Sequence, residues 1–203
     1  IGLIYASTQP KPVVSDTKIY LDKQLLQSFQ SNAFLHRTLI PHDHPLIEKF
    51  RKQYMCSDGY NYLSKIMKRS APYRDFIIEL LETENMPAEL LFLPVIESGF
   101  FETATSKSGA VGIWQFMRNS IGGFNIHIDD WVDERRDPWK ASIAAVKKLK
   151  WNYSQFNDWP LALAAYNSGV GAIRAAIKKA GKADYWYLAE HGYLKKETLY
   201  YVP

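Results

Sequence analysis

Apolar residues recur at steps of three and four along most of this chain, which is the period of an amphipathic α-helix. In the first half, the pattern predicts helices over residues 19–30 and 46–55, a third that begins near Ser57 or Asp58, and a fourth that begins at Pro72. Prolines and polar residues interrupt the pattern ahead of residue 18, so an irregular arm is expected there. The N-terminal third is therefore expected to form helical hairpins joined by short loops.

The second half shows the same period with clearer helix boundaries. A helix from residue 86 is expected to run to Glu97, and two more are expected to start at Asp137 and Asp158, each a capping residue followed closely by proline. Residues 161–166 are apolar on every side, which predicts a buried central helix. No alternating pattern of useful length predicts a strand, so the fold class is expected to be all-α with little or no β structure.

One acidic residue ends a strongly apolar run, because Glu97 directly follows LLFLPVI at residues 90–96. Burial disfavours a charged carboxylate and raises its pKa, so Glu97 can hold a proton near neutral pH. The loop after it is rich in small residues and leads to Gly112, Trp114 and Gln115. An acid, an open backbone, an aromatic ring and an amide are the components of a sugar-cleaving site. A glutamate in this position also occurs as a surface residue or an ion-pair partner.

Composition bounds the class of protein. The 203 residues, of which 47% are hydrophobic, suffice for one sizeable core with a small appended subdomain. The net charge of +4 is mild and fits either an anionic polymer as partner or a solvated basic face. Because no basic run alternates with aromatic residues, no nucleic acid is expected as partner. The aromatic share of 14% suits carbohydrate recognition and an ordinary core equally well.

Cysteine and histidine indicate no site. Cys56 is the one cysteine, so no intrachain disulfide can form. The HDH run at residues 42–44 is expected to be a solvated loop, because histidines two positions apart do not share a helix face and further ligands are lacking. No metal and no cofactor are therefore expected. The initial IGLIYAS fits the end of an export signal or an apolar arm, and it is too short to span a membrane.

Five motifs follow one another in a fixed order. They are ESGF at 97–100, SKSGAVGIWQFM at 106–117, DERRDP at 133–138, DWPLALAAYNSG at 158–169 and ETLYYVP at 197–203. In this order they resemble the motifs of the goose-type-lysozyme-like lytic transglycosylases, in particular the membrane-bound lytic murein transglycosylase D group. The resemblance covers roughly residues 43–203, and five ordered motifs together are far more specific than any one of them.

The chain departs from the family pattern beside the acid. Phe101 and Glu102 stand where the family usually has Asn-Pro, and this change alters the loop next to Glu97. We expect it to affect substrate fit or the pKa of the acid. The replacements of leucine by Ile113 and of alanine by Ser168 are mild.

The resemblance implies a lysozyme-like helical domain with an N-terminal helical extension. It divides the chain into an arm with the first helix at 1–42, a helical lead-in at 43–86 and a lysozyme-like catalytic domain at 87–203. It also implies a monomer that acts on peptidoglycan glycan strands without a cofactor, in the periplasm or elsewhere in the cell envelope. Membrane association would run through a segment ahead of residue 1.

The resemblance further implies a reaction with one catalytic acid. Glu97 would protonate the glycosidic oxygen between N-acetylmuramic acid and N-acetylglucosamine, while the substrate's 2-acetamido group stabilises the cation. The same glutamate would then remove the proton of the muramoyl C6 hydroxyl, which leaves a 1,6-anhydro end and consumes no water. Ordinary glycosidases use a second carboxylate, but Glu102 lies in a polar loop and is expected to be solvated.

Supporting roles follow from the same resemblance. Ser98 would bind substrate or steady the acid, Gln115 would bind polar groups of the sugar, and Gly112 would let the glycan strand approach the backbone closely.

Three further residues lie in the last two motifs. Asn167 would donate to the acetamido group, and Tyr201 would point its hydroxyl at Glu97. Tyr166 is assigned either to the site or to the core, and Trp114 is expected to pack behind the site.

Two other functions remain open at the level of sequence. A lysozyme-type hydrolase would need a guided water or a second acid, and its product would carry reducing ends. A non-catalytic glycan-binding domain would have no use for an intact Glu97.

Overall fold

The computed structural model describes residues 44–203, and over this range the protein is mainly helical. The helix predicted over 19–30, the arm before it and two residues of the HDH run lie outside the described residues. Within residues 44–203 there are eight α-helices: α1 (Pro45–Met55), α2 (Ser57–Thr83), α3 (Leu93–Glu97), α4 (Pro138–Phe156), α5 (Trp159–Ser168), α6 (Val170–Ala180), α7 (Tyr185–Glu190) and α8 (Lys196–Leu199). Three 3-10 turns cover Ala88–Phe92, Arg118–Ser120 and Glu134–Arg136.

The prediction of an all-α fold is confirmed. Between residues 44 and 203, β pairing is limited to three isolated bridges, two of them at Val111 and one between Ile128 and Asp133. These bridges lie in the long connection between α3 and α4. In the same part of the chain, no helix combines the length and the apolar character needed to cross a bilayer.

Pro72 lies inside a helix, so the prediction that a helix begins there is wrong. Proline removes one backbone hydrogen bond and costs about 3 kcal/mol in a helix interior. One buried stripe nevertheless runs through both halves of α2, formed by Ile66, Ser70, Tyr73, Ile77 and Leu81. Burial of this stripe outweighs the local penalty, and α2 continues for 27 residues.

The apolar run before Glu97 forms a 3-10 turn and then a short helix. The turn covers Ala88–Phe92 and α3 begins at Leu93, so the helix predicted from residue 86 is interrupted. Pro94 occupies the first turn of α3, where its missing amide hydrogen costs no helical hydrogen bond. The predicted end at Glu97 is confirmed.

Both predicted aspartate caps are found. The Asp137 carboxylate accepts hydrogen bonds from the Trp139 and Lys140 amides at the start of α4. The Asp158 carboxylate accepts one from the Leu161 amide at the start of α5. These bonds satisfy amide groups that the first turn of a helix leaves without a partner. Helices α7 and α8 have no predicted counterpart, because they are only six and four residues long.

Helix α5 is central, as its apolar sequence predicts. Its residues 161–166 are all buried, and it contacts α4, α6, α7 and α8. The facing helix α4 contributes three buried alanines, whose small side chains let the two helices pack closely. One continuous core extends from Ile66 in α2 to Val202 near the C-terminus, and it supports the loops that follow Glu97.

His44, the described member of the HDH run, takes part in a packing contact. Its Nδ1 accepts a hydrogen bond from the Leu46 amide, and its Nε2 lies 3.0 Å from a carboxylate oxygen of Glu190. Its ring packs on Trp186 with the centroids 4.2 Å apart. These contacts join the start of α1 to α7. Residues 44–203 contain no group of three side chains placed to hold a metal ion.

Candidate active site

Glu97 lies at the C-terminal end of α3, and only 9% of its surface is exposed. Burial raises the pKa of its carboxyl group from 4.5 to about 7. Among its neighbours, the Tyr201 hydroxyl and the Lys148 ammonium lower this pKa, whereas the Glu197 carboxylate raises it. Glu97 can therefore donate and accept a proton near neutral pH, which is the requirement for general acid–base catalysis.

Tyr201 is the direct partner of Glu97, although 104 positions separate the two residues in the sequence. Its phenol donates a hydrogen bond to Oε1 of the carboxyl group. Burial raises the pKa of Tyr201 well above 10, so the phenol remains a donor. This bond favours the charged form of Glu97 and fixes the orientation of its carboxyl group.

Ser98 joins the acid to the loop that follows. Its hydroxyl donates a hydrogen bond of 2.8 Å to the Ile113 carbonyl oxygen. The end of α3 is thereby held against the segment at residues 106–117. This bond fixes Ser98, the residue next to Glu97, and a contact of Ser98 with substrate remains a prediction.

Gly112 and Gln115 form a tight turn in that segment. Both have positive φ, 79° at Gly112 and 48° at Gln115. Gln115 Nε2 donates to the Gly112 carbonyl oxygen at 2.9 Å, so its amide closes the turn on itself. A Cβ atom at Gly112 would lie 2.0 Å from the Arg135 carbonyl oxygen, which leaves room only for glycine. The close neighbour of Gly112 is thus the protein backbone.

Arg135, from the DERRDP motif, clamps the same loop. Its guanidinium group binds both carboxylate oxygens of Asp133, at 2.8 and 2.6 Å. Its Nη1 also donates to the carbonyl oxygens of Gly109 and Phe116, both at 3.1 Å. A buried arginine that is paired with a carboxylate and makes four side-chain hydrogen bonds is a rigid support. The motif therefore holds the backbone on which Gly112 and Gln115 lie.

Arg69 of α2 supports the loop in which the chain departs from the family pattern. Its Nε donates to the Gly99 carbonyl oxygen at 2.8 Å. Its guanidinium group lies over the Phe101 ring, 3.9 Å from the centroid, a distance typical of a cation–π contact. The unusual Phe101 is therefore part of an interaction that fixes the chain just after the acid, while Glu102 is exposed.

Tyr166 and Trp114 are both buried behind the site. The Tyr166 hydroxyl donates to the Trp114 carbonyl oxygen at 3.0 Å. The Trp114 indole donates to the Ser142 hydroxyl at 2.8 Å. Trp114 has no exposed surface, in agreement with the packing expected from the sequence.

Asn167 is linked to the C-terminal segment. Its Oδ1 accepts a hydrogen bond of 2.9 Å from the Thr198 hydroxyl, which leaves the NH2 group of the amide for another acceptor. Thr198 is buried, and the Tyr185 hydroxyl donates to the carbonyl oxygens of Thr198 and Leu199. The segment that carries Tyr201 is thereby fastened to the end of α5.

The six supporting residues predicted from the sequence fall into two groups. Tyr201 contacts Glu97 directly, and Ser98 follows it in the chain. The other four do not contact Glu97 through a hydrogen bond. Gly112 and Gln115 lie in the turn at residues 112–115, and Tyr166 and Asn167 lie near the end of α5, where they are bonded to Trp114 and Thr198.

The charge of Lys148 acts on the pKa of Glu97, and this lysine was not predicted from the sequence as part of the site. It lies on α4 and is buried, with 9% of its surface exposed. A sequence signal exists, because Lys148 stands seven positions after Ala141 and three after Ala145. This spacing places it on the same buried helix face as the two alanines.

Glu97 is the only carboxyl group among residues 44–203 that is buried. Two cavities of about 520 and 550 Å³ adjoin Asn125 and Ile126 in the connection between α3 and α4, and Glu97 lines neither of them. The geometry around Glu97 therefore identifies the candidate site, because burial and a direct partner are more specific than concave volume.

The fold and the site define an all-α domain built around one buried acid. A family model described as Transglycosylase SLT domain matches residues 75–189, more than half of the chain. The protein belongs to this family.

The relatives that match at the level of sequence include two named transglycosylases. A membrane-bound lytic murein transglycosylase D of Escherichia coli is 36% identical over 148 residues, which are 70% of this chain and 32% of the relative. A peptidoglycan transglycosylase of Escherichia phage T7 is 32% identical over 99 residues, 47% of this chain and 8% of the relative. The chain thus spans about a third of the first relative and a much smaller part of the second.

The fold is also that of a solved lytic transglycosylase structure. An inactive mutant of the lytic transglycosylase Slt from Pseudomonas aeruginosa superposes with a TM-score of 0.55 at 20% sequence identity. The superposition covers 89% of this chain and 35% of that one. The expected lysozyme-like helical fold of the lytic transglycosylases is confirmed.

Proposed function

We propose that this protein is a peptidoglycan lytic transglycosylase. It cleaves the β-1,4 bond between N-acetylmuramic acid and N-acetylglucosamine and leaves 1,6-anhydromuramoyl ends. The observation that carries the proposal is the buried carboxyl group of Glu97, whose pKa is about 7 and whose partner is a phenol. Membership of the SLT family and similarity to relatives named as murein and peptidoglycan transglycosylases support it.

The reaction uses one carboxyl group twice. Protonated Glu97 gives its proton to the glycosidic oxygen, and the bond to the anomeric carbon of the muramoyl residue breaks. The carboxylate that results accepts the hydrogen bond from Tyr201. It then takes the proton of the muramoyl C6 hydroxyl, whose oxygen bonds to the anomeric carbon. Glu97 ends in its initial protonated state and no water is consumed.

A single-acid reaction suits this site better than a pair of carboxylates. Retaining glycosidases place two carboxyl groups about 5 Å apart, and inverting ones place them about 6.5–9.5 Å apart. Glu102 and Glu197 are both exposed. We assign the stabilisation of the cation to the substrate's acetamido group. Asn167 recognises this group through its NH2, which the hydrogen bond from Thr198 to Oδ1 leaves available.

The remaining site residues are assigned supporting roles. Ser98 steadies the end of α3 through Ile113. Gly112 and Gln115 shape the turn that follows the acid, and Gln115 binds polar groups of the sugar. Tyr166 supports the same loop through the hydrogen bond from its hydroxyl to the Trp114 carbonyl oxygen.

Location and partners follow from the substrate. Peptidoglycan lies outside the cytoplasmic membrane, so the protein acts in the periplasm or elsewhere in the cell envelope as a monomer on glycan strands. The proposal includes membrane association, because one relative is named as membrane-bound. The catalytic unit is assigned to residues 87–203 and the helical lead-in to residues 43–86.

The first test replaces the acid. Glu97→Gln keeps the size of the side chain and an acceptor for Tyr201 but has no proton to give, so turnover of purified sacculi should fall by at least about a thousandfold. Binding to sacculi in a pull-down should be retained. The matched control is Glu102→Gln, an exposed carboxyl group five residues further on, which should keep wild-type turnover. Normal turnover of Glu97→Gln would eliminate the proposal, and loss of turnover in Glu102→Gln would indicate a second carboxylate.

The second test identifies the product. Mass spectrometry of sacculi digested by the wild-type protein should show muramoyl ends that are 18 Da lighter than hydrolysed ends, because no water is added. Reducing ends would instead indicate a lysozyme-type hydrolase. Sacculi that bind the protein and stay intact would indicate a glycan-binding domain.

A further inference from the structure

Phe101 is a large apolar side chain that stays at the surface close to the candidate acid. Of its surface, 51% is exposed, and it does not belong to the hydrophobic core of residues 44–203. Single exposed apolar residues are common and need no explanation by themselves. Phe101 differs from them because its ring is held in a fixed place and because the backbone places it beside Glu97.

The ring of Phe101 is held by α2. The Arg69 guanidinium group lies over it, 3.9 Å from the centroid, and the same group donates from Nε to the Gly99 carbonyl oxygen at 2.8 Å. One turn further along α2, the ring of Tyr73 stacks on that of Phe100 at an angle of 3° and a centroid distance of 6.4 Å. Because the guanidinium group covers one face of the Phe101 ring, the exposed part of the side chain includes the opposite face.

The turn that carries the ring also limits its distance from Glu97. The Phe101 amide donates to the Ser98 carbonyl oxygen at 3.4 Å, which closes a four-residue turn directly after Glu97. The Cα atoms at the ends of such a turn are less than about 7 Å apart, and neighbouring Cα atoms are about 3.8 Å apart. The Cα atoms of Phe101 and Glu97 therefore lie within about 11 Å of each other, a separation that adjacent sugar rings of one strand can bridge.

The backbone between the acid and the ring has an unusual conformation. Gly99 and Phe100 both have a φ of 60°, in the left-handed region that a bulky residue such as phenylalanine rarely adopts. Such a conformation costs free energy, persists only where surrounding contacts enforce it, and is common at functional sites. Here the burial of Phe100 against Tyr73 enforces the turn, and the next side chain, Phe101, is left at the surface.

We propose that Phe101 is a glycan-binding residue, whose exposed ring face packs on a sugar ring of the strand that Glu97 cleaves, with Arg69 as the positioning residue that holds the ring. This inference rests on the proposed function. One face of a β-1,4-linked amino sugar carries mainly C–H groups, which pack favourably on the electron-rich face of an aromatic ring. A ring that is fixed before binding loses little conformational freedom when the sugar arrives, so more of the contact energy appears as affinity. The Asn-Pro pair usual in the family offers no aromatic ring at this position, so the contact is a feature of this chain.

Binding of a soluble fragment tests the contact without turnover. The probe is the β-1,4-linked hexamer of N-acetylglucosamine, titrated by calorimetry. Phe101→Leu keeps an apolar side chain and removes the flat ring, so Kd should rise about tenfold, whereas Phe101→Tyr keeps the ring and should bind as wild type does. The matched control is Tyr62→Leu, because Tyr62 lies on the same helix as Arg69, is 53% exposed and stacks on Tyr54. This control should leave Kd unchanged.

A ring contact also has a direct signature in NMR. The Phe101 ring signals of the wild-type protein, assigned through Phe101→Leu, should shift as the hexamer is added. An unchanged Kd in Phe101→Leu or unshifted ring signals, including the case in which the hexamer does not bind to wild type, would overturn the inference. A purely structural role of Phe101 would lower the melting temperature of Phe101→Leu and leave Kd as it is, which would also count against the inference.

The role of Arg69 is tested through its dependence on the ring. Arg69→Lys keeps the charge but loses the planar group that covers Phe101 and the Nε that binds Gly99. If Arg69 acts by holding the ring, Arg69→Lys should weaken hexamer binding in the wild-type background and have no further effect on Kd in Phe101→Leu. Equal losses in the two backgrounds would contradict the assignment of Arg69 as a positioning residue for the ring.

Cleavage separates this inference from the proposed function. On soluble glycan strands, Phe101→Leu should raise KM about tenfold with little change in kcat, as expected for a contact made both before and in the transition state. The pH dependence of kcat/KM should stay in place, and a shifted profile would show that Phe101 acts through the acidity of Glu97, against the inference. Hexamer binding that depends on Phe101 in a protein that cleaves no glycan would contradict the proposed function and leave this inference intact. Cleavage of glycan with an unchanged Kd in Phe101→Leu would have the opposite meaning.

Discussion

Two carboxyl groups of this chain show how strongly the surroundings set acidity. Asp129, at the exposed tip of a loop, accepts hydrogen bonds from the His127 side chain and from the amides of Trp131 and Val132, which lower its pKa to about 2. Glu97 has one such bond and is buried, and its pKa is about 7. The difference arises from desolvation, which only Glu97 experiences to a large extent. Glu97 is therefore suited to proton transfer at neutral pH, and Asp129 is not.

The raised pKa of Glu97 has a consequence for stability. The group has a pKa near 4.5 when unfolded and about 7 when folded, so the folded state holds the proton more tightly. The resulting stabilisation is complete below pH 4.5 and is lost as the pH rises through 7. In Glu97→Gln, which does not titrate, the free energy of unfolding should exceed that of wild type by about 3 kcal/mol at pH 8 and match it near pH 4.5.

Urea denaturation of both proteins across this pH range checks the prediction. Glu102→Gln serves as control, because it removes the same charge from an exposed position. Parallel stability curves for Glu97→Gln and wild type would contradict the raised pKa. A catalytic acid whose burial costs stability at neutral pH is an example of the trade-off between stability and activity that is common at active sites.

The acid could be predicted from the sequence, but its partners could not be derived from it. An apolar run that ends in one glutamate is a local signal, and it indicates both burial and a raised pKa. Tyr201 lies 104 positions away, so it was accessible only through the resemblance of the last motif. Lys148 belongs to a run of charged residues that resembles an exposed face, and only its register on α4 distinguishes it from Lys147.

The turn at Gly112 illustrates the element scale. A Cβ atom there would lie 2.0 Å from the Arg135 carbonyl oxygen, and φ is 79°. Gly112→Ala should therefore lower the free energy of unfolding by about 3 kcal/mol or more, since the backbone of the clamp must move. Thermal denaturation followed by circular dichroism measures the change.

Gly109 provides the matched control in the same loop. Its φ of 85° is equally unfavourable for alanine, but no atom lies within 4 Å of its Cβ position. Gly109→Ala should cost only about 1–2 kcal/mol, the penalty of the left-handed conformation. Equal losses for the two variants would show that conformation rather than close approach determines the requirement at Gly112.

Element boundaries were predictable where the signal is local. The caps at Asp137 and Asp158 follow from side chains that bind the next amides, and both predictions are confirmed. Pro72 gave the wrong boundary, because its local penalty competes with a buried stripe along the whole of α2. The stripe is visible in the sequence, but its burial depends on helices far along the chain.

At the scale of the whole molecule, the site depends on the C-terminal segment. Residues 197–203 bring Tyr201 to Glu97. The segment is held by the hydrogen bond from Thr198 to Asn167, by the bond from Tyr185 to the Thr198 carbonyl oxygen and by the burial of Val202. A chain shortened to end at Leu194 should keep most of its helical circular dichroism. Its melting temperature should fall and its glycan cleavage should drop at least about a hundredfold, because the acid loses its orienting partner.

Tyr201→Phe separates the loss of the orienting hydroxyl from the loss of the whole C-terminal segment. It keeps the segment and its packing but removes the hydroxyl, so the melting temperature should stay near that of wild type. The pKa of Glu97 should rise further, since the hydrogen bond that lowers it is gone. Wild-type turnover in the shortened chain would contradict the role of the segment.

The order of motifs along the sequence predicted the overall fold, and the family match and the superposed structure support it. What no motif conveyed is how the five segments are tied together. Ser98 to Ile113, Arg135 to Gly109, and Asn167 to Thr198 are contacts between motifs, and each becomes visible only in three dimensions.

The hydrogen bond from Arg69 to Gly99 bears on how relatives can be recombined. The family match runs from residue 75 to 189, yet this arginine precedes it and Tyr201 follows it, and both hold the neighbourhood of Glu97. Chimeras spliced at the limits of sequence similarity would combine an acid from one parent with supports from another. Crossover points before α2 and after Val202 would transplant the acid together with the side chains that tune it.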